Sequence, residues 1–208
     1  MTATGNLGLT AGIILIVIIL IAAVAGSVII QTTQDVSNRD LTSITNEALD
    51  EITTYLQVKN VIGKYEDVQG QEVIQRIAVL IKPLVSLHLD ITKLTIMISD
   101  GNDVHLLTFS GLAAPIKSYS LFSHPLWDLI NDSSFGIIST VDDDNSMIDA
   151  HTIDKNTDMG FIIINLPATD RLLYDESMQL TLIPSPGNER IITLEPPLPT
   201  SQVVTLYG

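Results

Sequence analysis

The sequence has no cysteine, which excludes disulfides, thiolate nucleophiles and Cys-based metal sites. Outside a cell such a chain must be held together by burial and assembly alone. Cations are scarce: 10 Lys and Arg stand against 24 Asp and Glu, a net charge of −14. That balance argues against nucleic acid or an anionic membrane surface as a partner and suits a solvated outer surface. Catalytic signatures are missing too. There is no G-x-S-x-G, no G-x-x-x-x-G-K-S/T, no H-E-x-x-H and no dinucleotide fingerprint. His88, His105, His124 and His151 are scattered without ligand spacing and read as structural histidines. Composition and motifs imply no enzyme and no cofactor.

Charge is also absent ahead of Asp35. Residues 12–30 form one apolar run in which thirteen positions are Ile, Leu or Val. As a helix this run spans roughly 30 Å. Its gross burial is worth on the order of 20–40 kcal/mol, an upper bound. A surface helix cannot be apolar on every face, so the run belongs in lipid or among other chains. A cleaved secretory signal needs a positive n-region, which residues 1–8 lack. A membrane anchor fits by length, but Arg39 is the only nearby cation and stands between Asp35 and Asp40. The third environment is the dry core of a helical filament. Candidate packing positions there are Ile13, Ile14, Ile16, Val17, Ile18, Leu20, Ile21, Ala22, Val24, Ala25, Gly26, Val28 and Ile29. Small residues four apart, Ala22 with Gly26 and Ala23 with Ser27, permit close helix approach. The same pattern suits a membrane bundle.

Beyond Ile30 the pattern turns amphipathic. Val36, Leu41, Ile44, Ala48, Leu49, Ile52, Tyr55 and Leu56 recur mostly three or four apart, with acidic and amide residues between them. No Pro interrupts the stretch. The spacing predicts one helical unit over 1–59, with 7–30 as the buried part, 31–59 amphipathic, and Gly63 ending the pattern. From Asn60 the signal becomes β. Strands are expected at 73–81, 94–98, 104–109, 116–122, 135–141, 160–166, 178–183, 191–194 and 202–207, with turns at 100–103 and 185–188. Short strands at regular spacing predict a β-sandwich head over 60–208. The fold class is therefore α+β, a long hydrophobic N-terminal helix followed by an all-β sandwich.

Three stretches carry a family resemblance. They are Gly8-Leu-Thr-Ala-Gly-Ile with Ala22-Ala-Val-Ala-Gly-Ser-Val-Ile-Ile30; Ile77-Ala-Val-Leu-Ile-Lys-Pro with Leu89-Asp-Ile-Thr-Lys-Leu-Thr-Ile96; and Phe161-Ile-Ile-Ile-Asn-Leu with Leu180-Thr-Leu-Ile-Pro-Ser-Pro-Gly, Pro196-Pro-Leu-Pro and Val204-Thr-Leu-Tyr207. Together they resemble the archaellins, the subunits of the archaeal flagellum (archaellum). Archaeal pilins share the first; the two head stretches favour archaellin, although Leu-Asp-Ile stands where that family has Ile-Asp-Leu. Gly5 stands where bacterial type IV pilins carry a Glu.

The resemblance implies an immunoglobulin-like head on a type IV pilin-like helix. It implies a leader cut by a prepilin-type peptidase before the mature start, and a chain beginning at or near Met1. It implies a homopolymer, or a copolymer with related archaellins, in an extracellular filament rotated by a membrane motor platform. Contact with membrane would come only before assembly. An adhesive pilin and a membrane-anchored extracellular binding domain are the alternatives; no residue set argues for an anchored enzyme.

Two local features remain. Asp142-Asp-Asp144 with Asp149, Asp154 and Asp158 offers hard oxygen ligands suited to Ca²⁺. The run lacks the Gly and terminal Glu of an EF-hand loop, so it reads as a solvated acidic loop with no metal assigned. Asn131-Asp-Ser133 is the one N-x-S/T sequon and the candidate glycosylation site. Trp127 and Tyr119 read as packing residues of the head.

Overall fold

The computed structural model describes residues 56–84, 88–185 and 187–208. The chain divides after Leu49, and the second unit, Asp50–Gly208, holds everything described. The expected helix before Leu56, with all the filament-core positions, lies outside the described residues. Among the described residues no helix is long and apolar enough to cross a membrane.

Among the described residues there are eleven strands: β1 Leu56–Val68, β2 Gln71–Pro83, β3 Leu89–Asp90, β4 Thr95–Ser99, β5 Val104–Pro115, β6 Ser134–Val141, β7 Thr152–Ile153, β8 Met159–Asn165, β9 Met178–Ile183, β10 Arg190–Leu194 and β11 Val203–Tyr207. Nine form one sheet in the order β10-β9-β4-β5-β6-β8-β2-β1-β11, and β3 pairs with β7 alone. Within the large sheet only β5–β6 is parallel.

The hydrogen bonding thus runs unbroken through all nine strands, where a sandwich of two separate sheets was expected. The sheet folds over on itself instead. Its end strands come together where Glu195 N–H donates to the Leu206 carbonyl at 3.4 Å and Arg190 Nη2 to the Tyr207 hydroxyl at 3.1 Å. Register shifts in β1 at Val58/Asn60, Val61/Ile62 and Lys64/Tyr65 supply the bend, because each bulge adds local twist. Alternate residues then point to one core. Val61, Ile77, Ile162, Ile137, Ile96, Leu180 and Leu206 come from seven strands and share it.

The central strands β2, β8 and β6 are buried on both faces. Their outward Ala78, Ile163 and Ile138 pack against Leu126, Trp127 and Ile130. These three come from the connection after β5, and the finding corrects the strand expected at 116–122. That connection makes single helical turns at Leu121–Ser123 and Pro125–Asp128. Pro125 begins a turn readily, and His124 Nδ1 accepts from Leu126 N–H at 3.2 Å. Helical spacing lets Leu126 and Trp127 lie flat on the sheet. Trp127 Nε1–H donates to the Leu121 carbonyl at 2.8 Å, and its ring stacks on Phe122 at 5.5 Å.

The helical unit expected through residue 59 is also corrected, since Leu56–Lys59 lie in β1. Leu56 and Val58 face the core with Gln57 and Lys59 between them, opposite Pro83 and Ile81. A two-residue period over four positions cannot be told from the tail of a helical one. Nor does Gly63 stop a helix. It sits mid-strand, where an added Cβ would lie 2.9 Å from both Ile74 Cγ2 and Leu206 Cδ1. The true break is the β1–β2 hairpin, whose Gln69 and Gly70 both have positive φ (59° and 87°), the signature of a type I′ turn.

Gly63→Val is expected to destabilise the head by about 1–3 kcal/mol through overpacking. Urea unfolding followed by the fluorescence of Trp127, the sole tryptophan, measures it. An unchanged midpoint would show that the core yields at this point.

Candidate functional site

The pairing of β6 with β8 builds the most chemically distinctive site among the described residues. Val141 pairs with Met159, so the next residue outward on each strand, Asp142 and Asp158, is brought to the same end of the sheet. The connection between them makes one wide turn at Ser146–Ala150, flanked by left-handed Asn145 (φ 59°) and His151 (φ 54°). Just ahead of it, a tight turn closed by Asn145 N–H on the Asp142 carbonyl at 3.4 Å keeps Asp144 beside the pair. One carboxylate oxygen from each of Asp142, Asp144 and Asp158 then lies within 4.8 Å of the others.

Asp158 is only 1% exposed, so the solvated loop expected from sequence is corrected at this residue. Its Oδ2 accepts from the backbone N–H groups of Asp154 (3.2 Å) and Lys155 (2.9 Å). Its Oδ1 is buried without a partner, as is Asp142 Oδ2. Burial, chiefly, and then the Asp158 charge raise the Asp142 pKa. Burial likewise raises that of Asp158, with Asp154 and Asp144 adding to it. Asp144 behaves oppositely: its hydrogen bond from Lys155, at 2.5 Å, lowers its pKa to about 2. The Ser146 hydroxyl lies 3.4 Å from Asp142 Oδ1 and 3.2 Å from Asp154 Oδ1. Asp149 does not join the cluster.

Two orphaned buried oxygens and a third carboxylate fit a hard divalent cation. Ca²⁺ takes oxygen ligands at 2.3–2.6 Å, so two ligands on opposite sides of it stand about 4.6–5.2 Å apart. One oxygen from each of the three carboxylates falls within that span, and water would complete the coordination. A cation there would offset both the burial of the Asp142 and Asp158 carboxylates, the main cause of their raised pKa values, and their mutual repulsion, much as Lys155 does for Asp144.

The sequon lies elsewhere. Asn131 is exposed, and its Oδ1 accepts from Ser133 N–H (3.1 Å), Ser133 Oγ–H (3.2 Å) and Ser134 Oγ–H (2.7 Å). These bonds hold the side-chain carbonyl against its own loop. Trp127 is buried while Tyr119 is 51% exposed. The acidic residues were visible in the sequence. Which three of them meet was not, because that depends on the β6–β8 register.

Comparison with known proteins gives a consistent result. A profile of the archaeal-type flagellin family matches residues 5–194. Flagellin B3 of Methanocaldococcus jannaschii is 26% identical over 209 residues, covering 97% of this chain and 95% of the relative. Flagellin B3 of Methanococcus voltae is 25% identical over 232 residues with the same coverage of each chain. Among solved structures, archaeal flagellin FlaB1 of Methanocaldococcus jannaschii superposes with a TM-score of 0.64 at 21% identity, covering 73% of this chain and 96% of that one. A chain of the archaeal flagellum of Methanospirillum hungatei strain JF1 superposes with a TM-score of 0.59 at 14% identity, covering 91% and 93%.

Saturating Ca²⁺ is expected to raise the melting temperature above that in chelator. A hundredfold excess over Kd is worth about 2.7 kcal/mol, or roughly 5–10 °C for a chain of this size. Asp142→Asn should abolish most of that rise while melting no lower than the parent in chelator, because it removes a repelling charge. Identical melting with and without Ca²⁺ would exclude the site.

Proposed function

The chain belongs to the archaeal-type flagellin family; it is a structural subunit of the extracellular archaellum filament that serves motility, not an enzyme, and we propose that residues 7–30 build it into that filament. The observation that carries this reading is the family match across 5–194, which includes the whole apolar run at 12–30. In the filament, copies of this stretch surround one another and exclude water. No aqueous partner is needed to satisfy it, since a helix pairs its own backbone groups. Ala22 and Gly26 let neighbouring helices approach, and the Ile, Leu and Val side chains fill the space between them. The mechanism is mechanical: a dry core transmits torque while the acidic head faces solvent.

Before assembly the same stretch rests in the membrane, where a prepilin-type peptidase removes a leader and a motor platform incorporates the subunit. The partners in the polymer are copies of this chain or related archaellins. The head is the immunoglobulin-like domain that the resemblance implies, with its two layers joined into one continuous ladder. Asn131, exposed on that head, carries an N-linked glycan.

Ile18→Asp is expected to abolish filaments, because an unpaired buried charge costs about 3–5 kcal/mol at each subunit. Electron microscopy of sheared appendages reads this out, and normal filaments from the variant would rule out the packing. Asn131→Gln should lower the intact subunit mass by the mass of one glycan. Equal masses, after allowance for the substitution, would remove the modification.

A further inference from the structure

The two outer faces of the folded sheet differ. Over β2, β8 and β6 the outer face is covered by the Trp127 cluster. Over β5, β4, β9 and β10 it carries exposed apolar side chains toward its two sides. There Leu106 pairs with Met97, Met97 with Thr181, and Thr181 with Ile191, so one row crosses all four strands. Val104 and Ile183 flank that row, and the remaining outward positions in these strands are Ser, Thr and Gln. Leu106 and Val104 are each 60% exposed and Ile191 is 49% exposed, whereas Met97 is half-buried and Thr181, within the row, is only 1% exposed. None of these outward positions carries charge, although the chain has a net charge of −14. The acidic residues lie at the rim, with Asp100 and Asp103 in the β4–β5 turn and Glu189 just ahead of β10.

We propose that this face is where the head touches the head of a neighbouring copy in the filament. The inference rests on the filament reading above. Three properties of the face select that occupant. First, copies of an acidic head repel one another, and two unit charges held 4 Å apart cost about 1 kcal/mol in water and about 4 kcal/mol near a protein surface. An uncharged face is where two such heads can close together without that penalty. Second, an apolar centre with a polar, charged rim has the anatomy of a protein interface. Third, its size is informative. Four strands at about 4.8 Å spacing and five residues at about 3.4 Å rise give roughly 19 by 17 Å, or about 320 Å². A stable independent complex buries about 800 Å² per partner. The face is too small to hold two free heads together, and large enough to act where the polymer already keeps heads adjacent at high effective concentration.

The absence of cysteine makes an introduced thiol unique. Leu106→Cys and Thr193→Cys place it on this face from β5 and β10; the second is nearly isosteric and serves if the first impairs assembly. Maleimide labelling is followed on full-length protein, in intact filaments checked by electron microscopy and in subunits dissociated from them. The expected result is labelling about tenfold slower in filaments than in dissociated subunits. Labelling at the subunit rate in well-formed filaments overturns the contact and leaves the filament reading standing. Equal protection in dissociated subunits also overturns it, assigning the face to the subunit's own N-terminal segment. Failure of the unsubstituted chain to form filaments sinks both readings.

Discussion

The described structure depends on the double pairing of β8. This strand hydrogen-bonds to β2 on one side and β6 on the other. Ile162 lies opposite both Val79 and Ile137, and Ile164 opposite both Ile77 and Phe135. Its alternate residues feed two apolar clusters, Ile162 and Ile164 the inner core and Ile163 the outer one under Trp127. A strand buried on both faces tolerates neither a polar insertion nor a one-residue slip, since a slip sends every side chain to the opposite face. Gly160 tightens the constraint, because a Cβ there would come within 2.6 Å of Met147 Cε. The acidic site hangs from the same strand, as Asp158 is the residue just before it.

Much of this was legible in the sequence, for reasons that differ by element. The run at 160–166 is too short for a helix and too apolar for a surface strand, so it reads as buried, and β8 is. Alternation through Ile96 and Ile98 and the Asp-Gly-Asn-Asp turn give the β4–β5 hairpin, whose Asp100 Oδ1 accepts from Asn102 and Asp103 N–H at 2.8 Å each. Local pattern misled at 116–122, where apolar side chains cover a sheet without joining it. It misled again at Leu56–Lys59, where helical and strand periods coincide. In both places tertiary contact decides the backbone.

The charged residues show the same division. That an acidic cluster exists is a matter of counting. That Asp144 sits against Lys155 while Asp142 and Asp158 keep buried oxygens without partners is a matter of register and turn geometry. Sequence separates Asp142 from Asp158 by 16 positions, and only the return of the chain through β7 and into β8 closes that distance. The continuous ladder was likewise beyond reach, because strand order across a sheet is set by long-range pairing rather than by any one segment.

The meeting of β10 with β11 has a consequence for how such a molecule can multiply. An open sheet presents a row of unpaired donors and acceptors that can template runaway strand-to-strand growth, the route to amyloid. Here each terminal strand leans on the other, so an incoming strand would have to displace a piece of the head itself. Neighbouring heads in a filament are thereby steered away from stacking as a rival cross-β polymer.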